Sequence, residues 1–220
     1  MSAVARQSLG FEANGQRRIR RLVTVAIAAW LLLVTLLGTA GAFVGAPGKP
    51  PIAIALGVLA PLAAFLAALR LFQSFRDYIL TLDLRLIAGM QAWRWAGMGF
   101  LDLYAHKVLP AMFALPAGLG DMAIGITAPW IMLALIREPA FAASATFVRW
   151  NILGILDLVL AVGIAGLSTL AVTGAPGEIT VAPMASLPLL IVPAFFVPLF
   201  LMLHVSALMQ SRRLARGGSV

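Results

Sequence analysis

Arg94, Asp102, His106, Asp121, Asp157 and His204 are titratable side chains set inside long apolar stretches of this chain. A charge at the centre of a bilayer costs roughly 2.5–3.5 kcal/mol on insertion scales, so such groups face protein or a water-filled cavity. Titratable groups in that setting relay protons, bind ions or line a solute path. Gln91, Arg94, Asp102 and His106 follow at steps of three, eight and four residues, and side chains at those separations share one helical face. Asn151, Gly154, Asp157 and Ala161 form a second stripe, polar and small, at helical spacing. Asp121 follows a Gly-Leu-Gly run and is expected to open a helix, where free backbone N–H groups favour a carboxylate.

The elements that must hold these residues are membrane spans. The chain has 220 residues, 62% hydrophobic and 11% charged, with a mean hydropathy of +1.00. A soluble domain is about 45–50% apolar and about 25% charged, so this surface suits lipid. Spans of about 20 apolar residues are expected near 22–44, 52–72, 90–109, 119–136, 147–170 and 187–208. The segment 73–89 alternates apolar with charged residues and reads as an interfacial amphipathic helix or an inward extension of the third span. The expected fold is therefore an all-α integral membrane bundle of six transmembrane helices plus that short helix. Its parts are a basic tail over 1–21, a membrane domain over 22–211 and a second basic tail over 212–220. A signal peptide is the competing reading of the first span, but the apolar run exceeds the usual 7–15 residues.

Charge sets the orientation. With both termini cytoplasmic, 14 of the 16 basic residues fall on inner segments and 2, Lys49 and Lys107, on the outer side, as the positive-inside rule describes. The net charge of +8 is then a feature of span ends and not of a nucleic-acid surface. The expected partners are the lipid bilayer and a second copy or another membrane protein, with no nucleic acid. The chain has no cysteine, which excludes disulfides and thiolate sites.

This topology sorts the polar residues by depth. Asp102, His106, Lys107 and Asp121 form an outer group, Asp157 lies near the middle, and Arg94, Arg149, Asn151 and His204 lie toward the inner side. Together they read as a ladder for protons or a small solute. The alternative is internal ion pairing, Arg94 with Asp157 for example, that only holds helices together. Asp102, His106 and Asp121 are the candidate metal ligands, a set that suits several metals. A haem between His106 and His204 would have to bridge about 20 Å or more at 1.5 Å per helical residue, so no cofactor is named. Because Pro110 and Pro116 bracket a short outer loop, Asp121 is expected within hydrogen-bond or single-water reach of Asp102, His106 and Lys107.

Gly118-Leu119-Gly120-Asp121 resembles the GxGD motif of intramembrane aspartyl proteases such as presenilin and the prepilin peptidases. That resemblance implies two carboxylates sharing a proton around a water, with Asp102 as the partner. The chain departs from the pattern: Asp102 is followed, not preceded, by a tyrosine-containing pair, Leu103-Tyr104, and no Pro-Ala-Leu element is present. The longer stretch from Trp93 to Pro129, with Trp150-Asn151 and Asp157-Leu158, resembles an uncharacterised family of bacterial multi-span inner-membrane proteins. That resemblance implies a bacterial inner-membrane setting and no particular activity. The functional expectation is a small-solute or ion transporter or a proton-relay protein. The alternatives are a non-catalytic subunit or scaffold and, from the four-residue motif, a GxGD protease.

Overall fold

A computed structural model describes residues 3–217, with side chains over 15–217. It is all-helical. The α-helices are α1 (Ala3–Thr39), α2 (Ile52–Leu71), α3 (Gln73–Leu80), α4 (Leu84–Met90), α5 (Met98–Ala105), α6 (Ala111–Arg137), α7 (Ala145–Leu170) and α8 (Val197–Ala215). Helix thus reaches into both terminal stretches read as tails. Among the described residues five helices are long and apolar enough to cross a membrane: Gly15–Thr39, Ile52–Leu71, Ala111–Arg137, Ala145–Leu170 and Val192–Ala215. Their outward faces carry large apolar side chains such as Leu32, Leu59 and Leu160, exposed by 59%, 60% and 61%. A water-soluble monomer seldom leaves so wide an apolar belt uncovered.

The helix ending in α8 is the most buried of the five and forms the post of the bundle. It begins with a π-turn over Val192–Phe196 that contains Pro193 and is followed by Pro198, where missing N–H groups interrupt the regular ladder. Phe195 of that turn meets Trp30 of α1 at a ring separation of 4.6 Å. Val197, Phe200 and Leu201 pack with Val58 of α2 and Leu158 of α7. At the far end, Gln210 Nε2 donates to the carbonyls of Ile79 and Leu82, both at 3.0 Å. That ties α8 to the turn between α3 and α4.

The expected third span is not one α-helix. The segment expected as a single amphipathic helix divides into α3 and α4, with Asp83 capping α4 by accepting from the Arg85 amide at 2.9 Å. The chain then runs through a 3₁₀ segment, Gln91–Gly97, into α5. Seven residues is long for a 3₁₀ helix, whose runs rarely exceed three or four. The winding shows in burial: Gln91, Arg94 and Gly97 are buried, with Phe100 continuing the row. Trp93 and Trp95 point outward, 71% and 46% exposed. Positions three apart eclipse in a 3₁₀ helix, so Gln91, Arg94 and Gly97 form one straight row.

This rod lies antiparallel to α6 along its length. The neighbours an added Cβ would meet are Met132 for Gly89, the Trp95 backbone for Gly125, Asp121 for Gly97, and Leu101 for Gly118. Gly97 and Gly118 are so close that a Cβ on either would sit 2.9 Å from the other's carbonyl oxygen. Small residues permit such backbone contact between membrane helices.

The connection before α6, expected as an outer loop between Pro110 and Pro116, also differs from expectation. It ends at Pro110, and Pro116 and Pro129 both lie inside α6. Helix at Ala111 places Asp121 ten residues in, about 15 Å from the helix start.

Candidate functional site

Arg94 is the hub. Its side chain is 1% exposed and projects from the 3₁₀ row toward α6, α7 and α8. Nε donates to Asp121 Oδ1 at 2.7 Å, and Nη2 donates to Asp157 Oδ2. Nη1 donates to the Gly154 carbonyl at 3.2 Å and lies 3.3 Å from His204 Nε2. Arginine can only donate, so His204 Nε2 accepts and its proton sits on Nδ1. Nδ1 then donates to Asn151 Oδ1 at 2.9 Å, and Asn151 Nδ2 donates to the Phe147 carbonyl at 2.9 Å. The chain of donors is consistent from end to end and requires a neutral imidazole.

Each partner rests on a glycine. An added Cβ at Gly120 would strike Asp157 Oδ1, and one at Gly154 would strike His204 Nε2 and come 3.2 Å from Arg94 Nη1. At Gly97 it would come 2.6 Å from Asp121 Cβ. The cluster therefore occupies the space that side chains would fill at these positions. Beside it, Trp150 meets the His204 ring edge-on at 5.6 Å and donates from Nε1 to Thr127 Oγ1 at 2.9 Å, joining α6 to α7.

A lone buried guanidinium is costly, and two carboxylates with good geometry offset that cost. With both carboxylates ionised, the hub carries one positive and two negative charges around a neutral histidine, a net charge of −1. Gln91 lies one 3₁₀ turn from Arg94 on the same row. It is 0% exposed, and its amide nitrogen and oxygen have no hydrogen-bond partner among the described residues.

A cavity of about 680 Å³ opens between the α1–α2 and α7–α8 connections. Among its lining residues, those farthest along their helices from these connections, and so forming its floor, are Val58 of α2, Asp121 of α6, Leu158 of α7 and Val197 of α8. Asp121 is the polar side chain of that floor, and it is 15% exposed. Its Oδ1 is held by Arg94, while its Oδ2 accepts no hydrogen bond from the described residues.

Of the expected ladder, Arg94, Asp121, Asn151, Asp157 and His204 meet in one cluster and not as rungs at separate depths. Asp102, His106 and Arg149 do not join it. Asp102 and His106 are exposed, 69% and 71% at the side chain, and pair within their own turn at 3.4 Å; Arg149 is exposed on α7. The cause lies in the winding. Each 3₁₀ residue turns the chain by about 120° and each α residue by about 100°, which aims Asp102 some 140° away from Arg94. Asp121 consequently bonds Arg94 and not the layer of Asp102, His106 and Lys107. The expected metal set is not assembled, and no three His, Cys, Asp or Glu side chains converge among the described residues. The Asp102–Asp121 carboxylate pair that the GxGD resemblance implied is likewise not formed, since Asp102 faces outward. Thr127 and the glycine seat at Gly120 escape a reading of the sequence: a threonine or glycine among apolar residues carries no mark of its neighbours.

The fold and site define an all-helical protein with several membrane-length apolar helices packed around a buried ionic cluster. A family model described as Domain of unknown function (DUF8737) matches residues 51–212, well over half of the chain, and the protein belongs to that family. All the clustered residues fall inside the matched region. The description names neither a membrane setting nor proteolysis. No curated protein and no solved structure matches the chain.

Proposed function

We propose that this protein is a proton-coupled transporter of small solutes in the bacterial inner membrane, with six spans and both termini cytoplasmic. The observation that carries the reading is that Asp121 belongs at once to the Arg94 cluster and to the floor of the outer cavity. A carboxylate that faces a cavity on one side and a guanidinium on the other is placed to exchange a proton with the cavity. The excess negative charge of the hub gives that proton a site, and the unpaired amide of Gln91 continues the polar path toward the cytoplasmic side. For the sixth crossing, support comes from the antiparallel run of Leu84–Ala105 beside α6. Twenty-two residues, seven of them in the longer 3₁₀ rise, reach about 35 Å, enough for a hydrocarbon core of about 30 Å.

The rival reading is a non-catalytic membrane subunit. It is favoured by the full pairing of Arg94, which joins the rod, α6, α7 and α8 whatever else the cluster does. The purified chain in liposomes loaded with a pH-sensitive dye separates the two. With small amines, alcohols and acids supplied in turn as solute, the wild type should carry protons under an imposed pH gradient, and Asp121→Asn should cut that flux about tenfold or more while still inserting. Wild-type vesicles no leakier than empty ones would decide for the subunit.

A further inference from the structure

We propose that the outer cavity binds an organic monocation, a protonated amine on an apolar body, with the ammonium against Asp121. This names the solute class of the transporter reading and rests on it. The volume, about 680 Å³, falls within the 300–1,000 Å³ of small-molecule sites, which pair apolar walls with a few placed polar groups.

The polar groups select the sign of the ligand. Arg94 is unavailable to it, because Nε, Nη1 and Nη2 are all engaged and the side chain is 1% exposed. What the floor offers is an acceptor, the Asp121 carboxylate with Oδ2 unclaimed, among Val58, Leu158 and Val197. At the mouth Lys49 and Glu178 oppose one another in charge, and Glu178 is folded onto its own loop through the Thr173 and Gly174 amides. The rim is thus balanced and the floor negative. An anionic ligand would bury like charge against Asp121. A neutral one would leave the hub's excess charge unbalanced. A monocation brings the hub to neutrality in place of a proton, while the apolar walls take the rest of the molecule.

The test is equilibrium binding to the purified full chain, by calorimetry, of three probes of one shape: naphthylmethylamine, naphthylmethanol and naphthoate. The wild type should bind the amine about tenfold or more tightly than the alcohol, and naphthoate least. Asp121→Asn should erase the preference for the amine while keeping the alcohol. Ala161→Trp, which fills the cavity from the α7 wall, should abolish binding of both and serves if the Asn variant does not fold. Equal affinity for the three probes, preference for naphthoate, or amine binding that survives Ala161→Trp would overturn the proposal. Binding needs no transport, so the two readings fail separately. An absent amine preference beside an Asp121-dependent proton flux removes the ligand class and leaves the transporter. An amine preference without flux leaves a binding protein.

Discussion

His204 Nε2 lies 3.3 Å from Arg94 Nη1, a contact between two side chains that both carry positive charge in many proteins. It holds because the arginine supplies the proton and the imidazole the lone pair, with Asn151 fixing the tautomer from the other side. His204→Gln keeps an acceptor toward Arg94 and should cost about 1 kcal/mol. His204→Lys buries a second cation beside the first and should cost about 3–5 kcal/mol. Thermal unfolding of the purified chain in detergent reads both; equal losses would refute the tautomer assignment.

Removing the hub should hurt more than removing one spoke. Arg94→Gln leaves two carboxylates facing each other without a counter-charge, an expected loss of about 3–5 kcal/mol. Adding Asp157→Asn to that variant should restore part of the loss, since it removes one of the stranded charges. Arg94→Lys should behave more like Arg94→Gln than like wild type, because a single ammonium cannot reproduce the planar fork that reaches α6, α7 and α8 together. A double-mutant cycle on the unfolding midpoint measures the coupling.

The glycine seats give a graded series. Gly120→Ala and Gly154→Ala place a methyl where Asp157 and His204 sit, and each should cost about 1–3 kcal/mol through displacement of the cluster. Gly163→Ala and Gly166→Ala are the controls, because a Cβ there meets nothing within 4 Å. If all four variants unfold together, the seats have no special role.

The connection between α7 and α8 should respond to pH through Glu178. This exposed carboxylate accepts from the Thr173 amide at 3.0 and 3.1 Å, the Thr173 hydroxyl at 3.0 Å and the Gly174 amide at 2.9 Å. The backbone bond from Thr173, first among these, holds its pKa below the ordinary 4.5. A carboxylate whose pKa is lower folded than unfolded stabilises the loop above the unfolded value and loses that contribution as pH falls through the folded one. Amide exchange at Thr173 and Gly174, corrected for intrinsic rates, should stay slow at neutral pH and speed up below about pH 4. Glu178→Gln should flatten the profile.

Topology is open to a direct check because the native chain has no cysteine. Glu178→Cys should react with an impermeant thiol reagent added outside intact cells, and Leu214→Cys only after the inner face is opened. The reverse pattern would rule out cytoplasmic termini.

Much of the architecture can be read from the sequence. α2 and α7 start and stop within two residues of expectation, since their apolar runs are bounded by Pro-rich or charged turns. Arg94, Asp121, Asn151, Asp157 and His204 each stand out as polar groups among apolar ones. Their meeting does not stand out, for two physical reasons. A proline in a membrane helix is tolerated when neighbours or water satisfy the freed carbonyl, so Pro116 reads as loop although α6 runs through it. That error shifts Asp121 from about 15 Å deep to the surface. The second reason is that Gln-Ala-Trp-Arg-Trp-Ala-Gly carries no local signature of 3₁₀ winding; contact with the glycines of α6 selects it.

The 3₁₀ segment also behaves as a length of screw thread. Rewinding its seven residues to α geometry would shorten the rod by about 3.5 Å and turn one end against the other by about 140°. α5 would be drawn toward α4, with Asp102 and His106 swung from the outer face toward the axis of the bundle. In the same motion the straight row of Gln91, Arg94 and Gly97 would fan apart, and the guanidinium would turn with it. Pitch, in this protein, sets which charges share the hub.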